Sequence, residues 1–137
     1  MMQKKIRLRQ RFENLEKAFL QFQEAVKNFD HLSDLEKEGL VKRFEYTFEL
    51  TWKTLKDYLE SEGVSVSFPR EVFKTAFHHG ILSSGEIWLD MLNLRNTLVH
   101  KYDEADFRSA VQAVVFEYYP EIERLYRWMK QKMQHSD

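Results

Sequence analysis

Apolar residues recur along this chain at intervals of three and four positions, the period of an amphipathic α-helix. One such stripe runs from Leu8 to Phe29, a second from Val41 to Leu59 and a third from Phe107 to Met129. A shorter stripe is formed by Ile87, Met91, Leu94 and Leu98. The stripes predict long helices over Lys4–Asn28 and Asp34–Glu60, a short helix over Arg70–His78, and two more helices that begin after Ser83 and Asp103.

Residues that typically cap helices stand at the ends of these stripes. Ser33 or Asp34 suits the N-terminal cap of the second helix, and Ser83 suits that of the fourth. Gly63 and Gly80 follow the second and third helices, where glycine readily adopts the left-handed conformation that ends a helix. Local chemistry therefore favours helix ends at the same places as the hydrophobic pattern.

The pattern as a whole predicts an all-α fold. Pro120 interrupts the last stripe, so we expect a kink or a break near Phe116–Tyr119. The remaining connections are short, which favours antiparallel neighbours. We predict one domain over residues 1–137, an up-and-down four-helix bundle with one additional short helix.

Composition agrees with this fold and limits the function. The 137 residues are 43% hydrophobic and include only 4 Gly and 2 Pro, which suits long helices with few loops. The formal net charge of −1 argues against broad, sequence-independent binding to nucleic acid. The start of the first helix nevertheless concentrates basic residues that could contact phosphate, namely Lys4, Lys5, Arg7, Arg9 and Arg11.

Several classes of protein are disfavoured by what the sequence lacks. There is no Cys, no H-E-x-x-H motif and no carboxylate cluster with the spacing of metal ligands, so we expect no metal and no cofactor. No apolar run is long enough to span a bilayer, and no apolar signal core stands at the start. We therefore expect a cytoplasmic protein that does not bind membranes.

Polar residues that packing does not require gather near the end of the fourth helix. Arg95, Asn96, His100 and Tyr102 form the pattern R-N-x-x-x-H-x-Y. On a continuous helix His100 shares a face with Asn96 and Asn93, whereas Arg95 lies about 140° round from His100. Arg95 and His100 could therefore converge on a ligand only if the helix ends near His100 or if two copies meet at a dimer axis.

Each of these residues alone has a structural explanation, and together they predict a polar pocket. Arg95 could simply pair with Glu45 or Glu49 of the second helix. We assign both carboxylates to the pocket together with Asn93 and Asn96. Histidine can act as general acid or base near neutral pH, and arginine can stabilise charge on a phosphate. Arg95 and His100 would thus suffice for RNA cleavage without a metal, with the 2′-hydroxyl as nucleophile.

Three segments of the chain resemble one known family. Arg43–Glu60, Pro69–Leu82 and Trp88–Glu104 are similar to segments of the nucleotidyltransferase substrate-binding proteins, members of the HEPN superfamily. The resemblance implies a five-helix bundle, usually a homodimer. It also implies a partner, a separate minimal nucleotidyltransferase chain that supplies the nucleotide site.

The resemblance further assigns roles to the motif. In related pairs that behave as toxin–antitoxin systems, the HEPN chain is an RNase, and the nucleotidyltransferase silences it by transferring AMP to the motif tyrosine. Arg95 and His100 would then be the catalytic pair, Asn96 their polar neighbour and Tyr102 the modified residue.

Three hypotheses remain open on this basis. The first is an accessory subunit that pairs with a nucleotidyltransferase, and the second is a metal-independent RNase toxin that uses Arg95 and His100. The third is a helical dimer whose pocket binds a small anion without chemistry. The sequence alone leaves open whether the chain is an enzyme.

Overall fold

The structure, a computed structural model, describes residues 2–98 and 103–135, and this part of the chain is helical without any strand. The helices are α1 (Met2–Lys27), α2 (Asp34–Ser61), α3 (Pro69–His78), α4 (Gly85–Thr97), α5 (Glu104–Ala113) and α6 (Tyr119–His135). A 3-10 turn, Phe29–His31, joins α1 to α2, and a π-helical turn, Val114–Tyr118, joins α5 to α6. The predicted all-α bundle is confirmed.

The long helices pack side by side in alternating directions. The α1–α2 hairpin makes the most extensive contact in the fold, α6 runs back along α1, and α5 touches α2. In this arrangement α5, the π turn and α6 act as one long helix. The short α3 packs on α2, and α4 packs on α3 and on the π turn. None of the helices in residues 2–98 and 103–135 has both the length and the apolar character needed to cross a bilayer.

The predicted helix ends are largely confirmed. The Ser33 hydroxyl accepts a hydrogen bond from the Glu36 backbone, and the Glu36 carboxylate accepts one from the Ser33 N–H, which completes a capping box. Gly63 and Gly80 have φ of 84° and 75°, and the bonds around each glycine form the Schellman motif that closes a helix. The Asp103 carboxylate accepts a hydrogen bond of 2.8 Å from a backbone N–H three residues on.

The predicted cap of the fourth helix is wrong. Helix α4 begins at Gly85 with Ser84 in the cap position, and the Ser84 side chain makes no capping hydrogen bond. The Ser83 hydroxyl instead lies 3.4 Å from Nη1 of Arg124 on α6. A tertiary contact has therefore replaced the local one.

The irregularity expected near Pro120 takes the form of the π turn rather than a break. Proline lacks the N–H that would bond to the Phe116 carbonyl four residues earlier, so a regular α-helix cannot continue through it unchanged. The wider turn over Val114–Tyr118 accommodates this gap, and helical structure continues from α5 into α6.

A chain of aromatic rings holds α3 and α4 against α2. The ring centroids of Phe48 and Phe73 are 5.7 Å apart, and those of Phe73 and Trp88 are 5.3 Å apart. Trp88, Met91 and Leu92 form the buried face of α4. Of the predicted stripe, only Met91 is fully buried, because the large indole of Trp88 turns the helix about its axis to occupy the core.

One buried ion pair links the open ends of the α1–α2 hairpin. Nε of Arg11 donates to Oδ2 of Asp57 over 3.0 Å, and the Asp57 side chain is only 7% exposed. We expect Asp57→Ala to lower the free energy of unfolding by about 1–3 kcal/mol, because it removes a charged hydrogen bond and leaves the guanidinium unpaired. Chemical denaturation measures this change.

The matched control is the exposed pair of Arg108 and Glu104, whose Nη1–Oε1 distance is 3.3 Å. We expect Arg108→Ala to change stability by less than about 0.5 kcal/mol. Equal losses of unfolding free energy in the two variants would show that the burial of Asp57 does not strengthen its pairing with Arg11.

Candidate functional site

The last turn of α4 carries the first half of the polar motif. Arg95 stands seven residues after Trp88, two helical turns along the same side, and therefore faces α2. Asn93 and Asn96 are exposed to solvent. The helix ends at Thr97, whose hydroxyl donates a 2.9 Å hydrogen bond to the Asn93 carbonyl.

Arg95 is paired with a carboxylate of the neighbouring helix. Its Nη1 lies 3.0 Å from Oε1 of Glu49 on α2, and the two side chains are 28% and 30% exposed. The other Glu49 oxygen, Oε2, accepts a 3.1 Å hydrogen bond from the Trp52 indole and lies 3.9 Å from Nζ of Lys53. Glu49 is thus surrounded by three donors, and Arg95 is the one supplied by α4.

The Arg95–Glu49 contact leaves hydrogen-bonding capacity unused. Nε of Arg95 and Oε1 of Glu49 are both buried atoms without a well-aligned hydrogen bond among the described residues. The 3.0 Å approach is therefore an ion pair whose angle is poor for a hydrogen bond. An anion that offered better-aligned oxygens could compete with Glu49 for the guanidinium.

The structure separates the other predicted pocket residues from this pair. Glu45 lies one turn earlier in α2, where its Oε2 is 3.6 Å from Nζ of Lys42. Asn93 and Asn96 are exposed, and within the described part of the chain neither side chain is hydrogen-bonded to Arg95. The structure therefore brings together Arg95 and Glu49, the two members of the predicted pocket that carry opposite charges.

His100 and Tyr102, the predicted general acid–base and the predicted modification site, lie outside the described residues. The chain is described again from Asp103, the cap of α5. The segment that carries both residues therefore follows directly from the turn of α4 that holds Arg95.

Two tryptophans contribute to this region and were not among the predicted site residues. Trp52 stands three positions after Glu49, a spacing at which helical side chains meet, so the sequence contained this signal. Trp88 is fully buried, and its Nε1 has no hydrogen-bond partner among the described residues. The packing of Trp88 on Phe73 of α3 depends on tertiary structure and has no local signature.

Tyr118 is the last residue of the π turn and lies near Asp90 of α4. Burial raises the pKa of the Tyr118 phenol, and the carboxylates of Asp90 and Glu117 raise that pKa further. This phenol therefore stays protonated at neutral pH. Its ring stacks on Phe44 with the centroids 5.9 Å apart, which explains the burial.

A groove of about 550 Å³ runs along the start of α2 and the start of α5. Asp103 lines this groove, and its other acidic residues are Asp34, Glu38 and Glu104. Over residues 2–98 and 103–135 no three His, Asp or Glu side chains gather as a metal site would require. The acidic residues of the groove stand at and near two helix starts, and Lys37 and Arg108 line it as well.

Fold and site together define an all-α bundle with a half-buried arginine–glutamate pair at the end of its fourth helix. A family model described as nucleotidyltransferase substrate binding protein like matches residues 10–131, so the chain belongs to this family. The family inferred from the three sequence segments is confirmed. Its name indicates an accessory protein that binds the substrate of a nucleotidyltransferase, and implies such an enzyme as partner.

A solved structure gives independent support for the fold. The crystal structure of a protein from Thermus thermophilus is similar to this chain with a TM-score of 0.71 and 30% sequence identity. The match covers 88% of this chain and 99% of that one. A search among curated proteins gives no match.

The Arg95–Glu49 pair can be tested by a double-mutant cycle. We expect Glu49→Ala, Arg95→Ala and the double variant to give a coupling energy of about 1 kcal/mol or more, because both side chains are more than two-thirds shielded from solvent. The free energies of unfolding in denaturant supply the four values.

The same cycle on Lys42 and Glu45 is the control, since the Lys42 side chain is 81% exposed. We expect a coupling energy below about 0.5 kcal/mol there. A coupling near zero for Glu49 and Arg95 would contradict the view that the pair holds α4 on α2.

Proposed function

We propose that this chain is the accessory, substrate-binding subunit of a separate minimal nucleotidyltransferase, and that the two form a toxin–antitoxin-type pair. The observation that carries the proposal is membership of the family over residues 10–131, nearly the whole chain. The polar motif lies inside the matched range. An accessory role also agrees with the sequence, which contains no glycine-rich phosphate loop.

In this proposal the chain acts as a homodimer in the cytoplasm, without a membrane. A two-fold axis near the end of α4 would bring the motifs of two copies together. Arg95 of one copy could then approach His100 of the other, although the two residues point in different directions on a single continuous helix. The exposed amides of Asn93 and Asn96 would then line the shared cleft rather than the surface of one copy.

Tyr102 is the residue that the partner subunit would modify. The partner would transfer AMP from a nucleoside triphosphate to the Tyr102 hydroxyl, forming a phosphodiester and releasing pyrophosphate. We expect co-expression with the nucleotidyltransferase encoded beside this chain to yield a co-purifying complex. Intact mass spectrometry should show one or more added AMP units on the wild type and none on Tyr102→Phe.

Tyr46, which is exposed on α2, provides the matched control. Tyr46→Phe should acquire AMP as the wild type does. Failure of the two chains to co-purify would count against the pairing. A stable complex without any mass change would leave the accessory role standing and remove the AMP-transfer mechanism.

A second candidate function is a metal-independent endoribonuclease, and the unused hydrogen-bonding capacity at Arg95 favours it. In the reaction His100 would take the proton of the 2′-hydroxyl, and the 2′-oxygen would attack the adjacent phosphorus to form a 2′,3′-cyclic phosphate. The bond from phosphorus to the 5′-oxygen would break, and that oxygen would take a proton from water or from the protonated histidine and leave as a hydroxyl. Arg95 would stabilise the negative charge that builds on the phosphate oxygens. For this the guanidinium has to exchange Glu49 for phosphate. If the exchange occurs without cleavage, the pocket binds an anion with no chemistry.

The RNase candidate predicts cleavage that persists when divalent metals are chelated. We expect His100→Ala to reduce the cleavage rate of a labelled RNA about 100-fold or more, the usual contribution of a general acid or base. His31→Ala, a change at an exposed histidine of the 3-10 turn, should leave the rate unchanged. Cleavage that disappears with the chelator, or that survives in His100→Ala, would exclude this chemistry.

A further inference from the structure

One end of the bundle is strongly basic although the whole chain is nearly neutral. Residues 2–12 of α1 contain five basic residues and no acidic residue. Residues 124–135 of α6 contain four basic residues and His135 and no acidic residue, and three of the four are paired with carboxylates outside this range: Arg124 with Glu121, Arg127 with Glu123 and Lys130 with Glu16. We call these two segments together the basic end.

The fold places the two segments side by side. The rings of Phe12 and Tyr126 stack with centroids 5.8 Å apart, and a groove between the segments is lined by Lys5, Arg9 and Met133. Lys4, Lys5 and Arg7 are exposed and form no ion pair among the described residues. Their charges are therefore available to a ligand.

The opposite end of the bundle is acidic. Residues 24–38 contain five acidic and two basic residues, and residues 103–123 contain six acidic residues and one basic residue. Since α1 alone is 26 residues long, the two ends are about 39 Å apart at 1.5 Å per residue. That distance is several times the Debye length of about 8 Å at physiological salt. The basic end therefore attracts anions whatever the net charge of the chain.

An aromatic side chain lies within reach of the basic end. Trp128 of α6 is half-buried in a cleft of about 490 Å³ that is also lined by Tyr58, Glu62, His79 and Lys132. Nζ of Lys132 lies 5.5 Å from the centre of the Trp128 ring. An aromatic edge beside cationic side chains is the combination that holds a base and its phosphate in single-stranded nucleic acid.

We infer that the basic end is a binding surface for single-stranded RNA, separate from Arg95. Backbone phosphates would contact Lys4, Lys5 and Arg7, and a base would pack against Trp128. The choice of RNA over DNA rests on the RNase chemistry proposed above. The surface lies about 22 Å along the bundle axis from the Arg95 pair. This distance is the rise of α2 from Glu49 to Asp57 plus the rise of α1 from Arg11, the partner of Asp57, to Lys4.

A membrane surface is a poorer occupant for the same charges. A helix that lies in a lipid interface needs an open apolar face. Here Leu8 and Phe12 of α1 and Met129 and Met133 of α6 are buried within the bundle. At the start of α1 only Met2 and Ile6 remain exposed as apolar side chains.

The inference is tested by RNA binding without catalysis. The full-length His100→Ala chain is titrated in chelator against a fluorescein-labelled oligouridylate of about 16 nucleotides, and anisotropy gives the Kd. With Lys4→Glu, Lys5→Glu and Arg7→Glu combined, we expect the Kd to rise at least about tenfold. The slope of log affinity against log salt should fall by about 2, since each lost phosphate contact contributes about 0.7. Lys132→Glu alone should weaken binding about threefold or more.

The matched control reverses three exposed charges elsewhere, with Lys27→Glu, Lys42→Glu and Arg108→Glu combined. It changes the net charge equally and should retain the wild-type Kd within about twofold. Equal weakening in the two triple variants, or no binding by the parent chain, would overturn the inference. Tighter binding to anionic vesicles than to RNA would overturn it in favour of a membrane surface. Because cleavage is not measured, RNA binding can hold even if the proposed RNase or pairing function fails.

Discussion

The antiparallel packing of α1 on α2 is the contact on which the rest of the structure depends. The two backbones approach closely where the Thr47 hydroxyl donates to the Ala18 carbonyl over 3.3 Å, and the rings of Phe22 and Phe44 meet one turn further on. The other helices build on this pair: α6 packs on α1, α3 and α5 pack on α2, and α4 packs on α3 and on the π turn. The register of the hairpin therefore fixes where the side chains of α2, including Glu49, stand relative to α4.

The position of Arg95 follows from this register and from the size of Trp88. Once the indole is buried, the same side of α4 carries Arg95 toward α2 two turns later. A partly buried guanidinium is costly unless it is paired, and Glu49 provides the counter-charge. The packing of α4 and the charge of Arg95 thus both require a carboxylate at position 49. The Arg95–Glu49 pair therefore borders the packed face of α4 rather than standing apart from it.

The features that the sequence predicted correctly are local ones. The N-terminal cap at Ser33 and the left-handed glycines at Gly63 and Gly80 depend on neighbours within a few residues, so these helix ends could be predicted from the sequence. The choice of Glu49 over Glu45 as the partner of Arg95 depends on the register between two helices, which no local pattern contains. The loss of the Ser83 cap to Arg124 of α6 has the same origin.

The antiparallel register also determines the charge distribution, which the formal net charge concealed. It gathers the basic start of α1 with the basic end of α6, and it leaves acidic helix starts around Asp34 and Asp103 at the opposite end of the bundle. A polyanion approaching Arg95 would meet a guanidinium already paired with Glu49. For RNA to reach that site, positive charge has to come from elsewhere, from the basic end of the same chain or from a second subunit. Under the proposed RNase function, the pairing of Arg95 with Glu49 thus explains why the site needs positive charge beyond that of Arg95 itself.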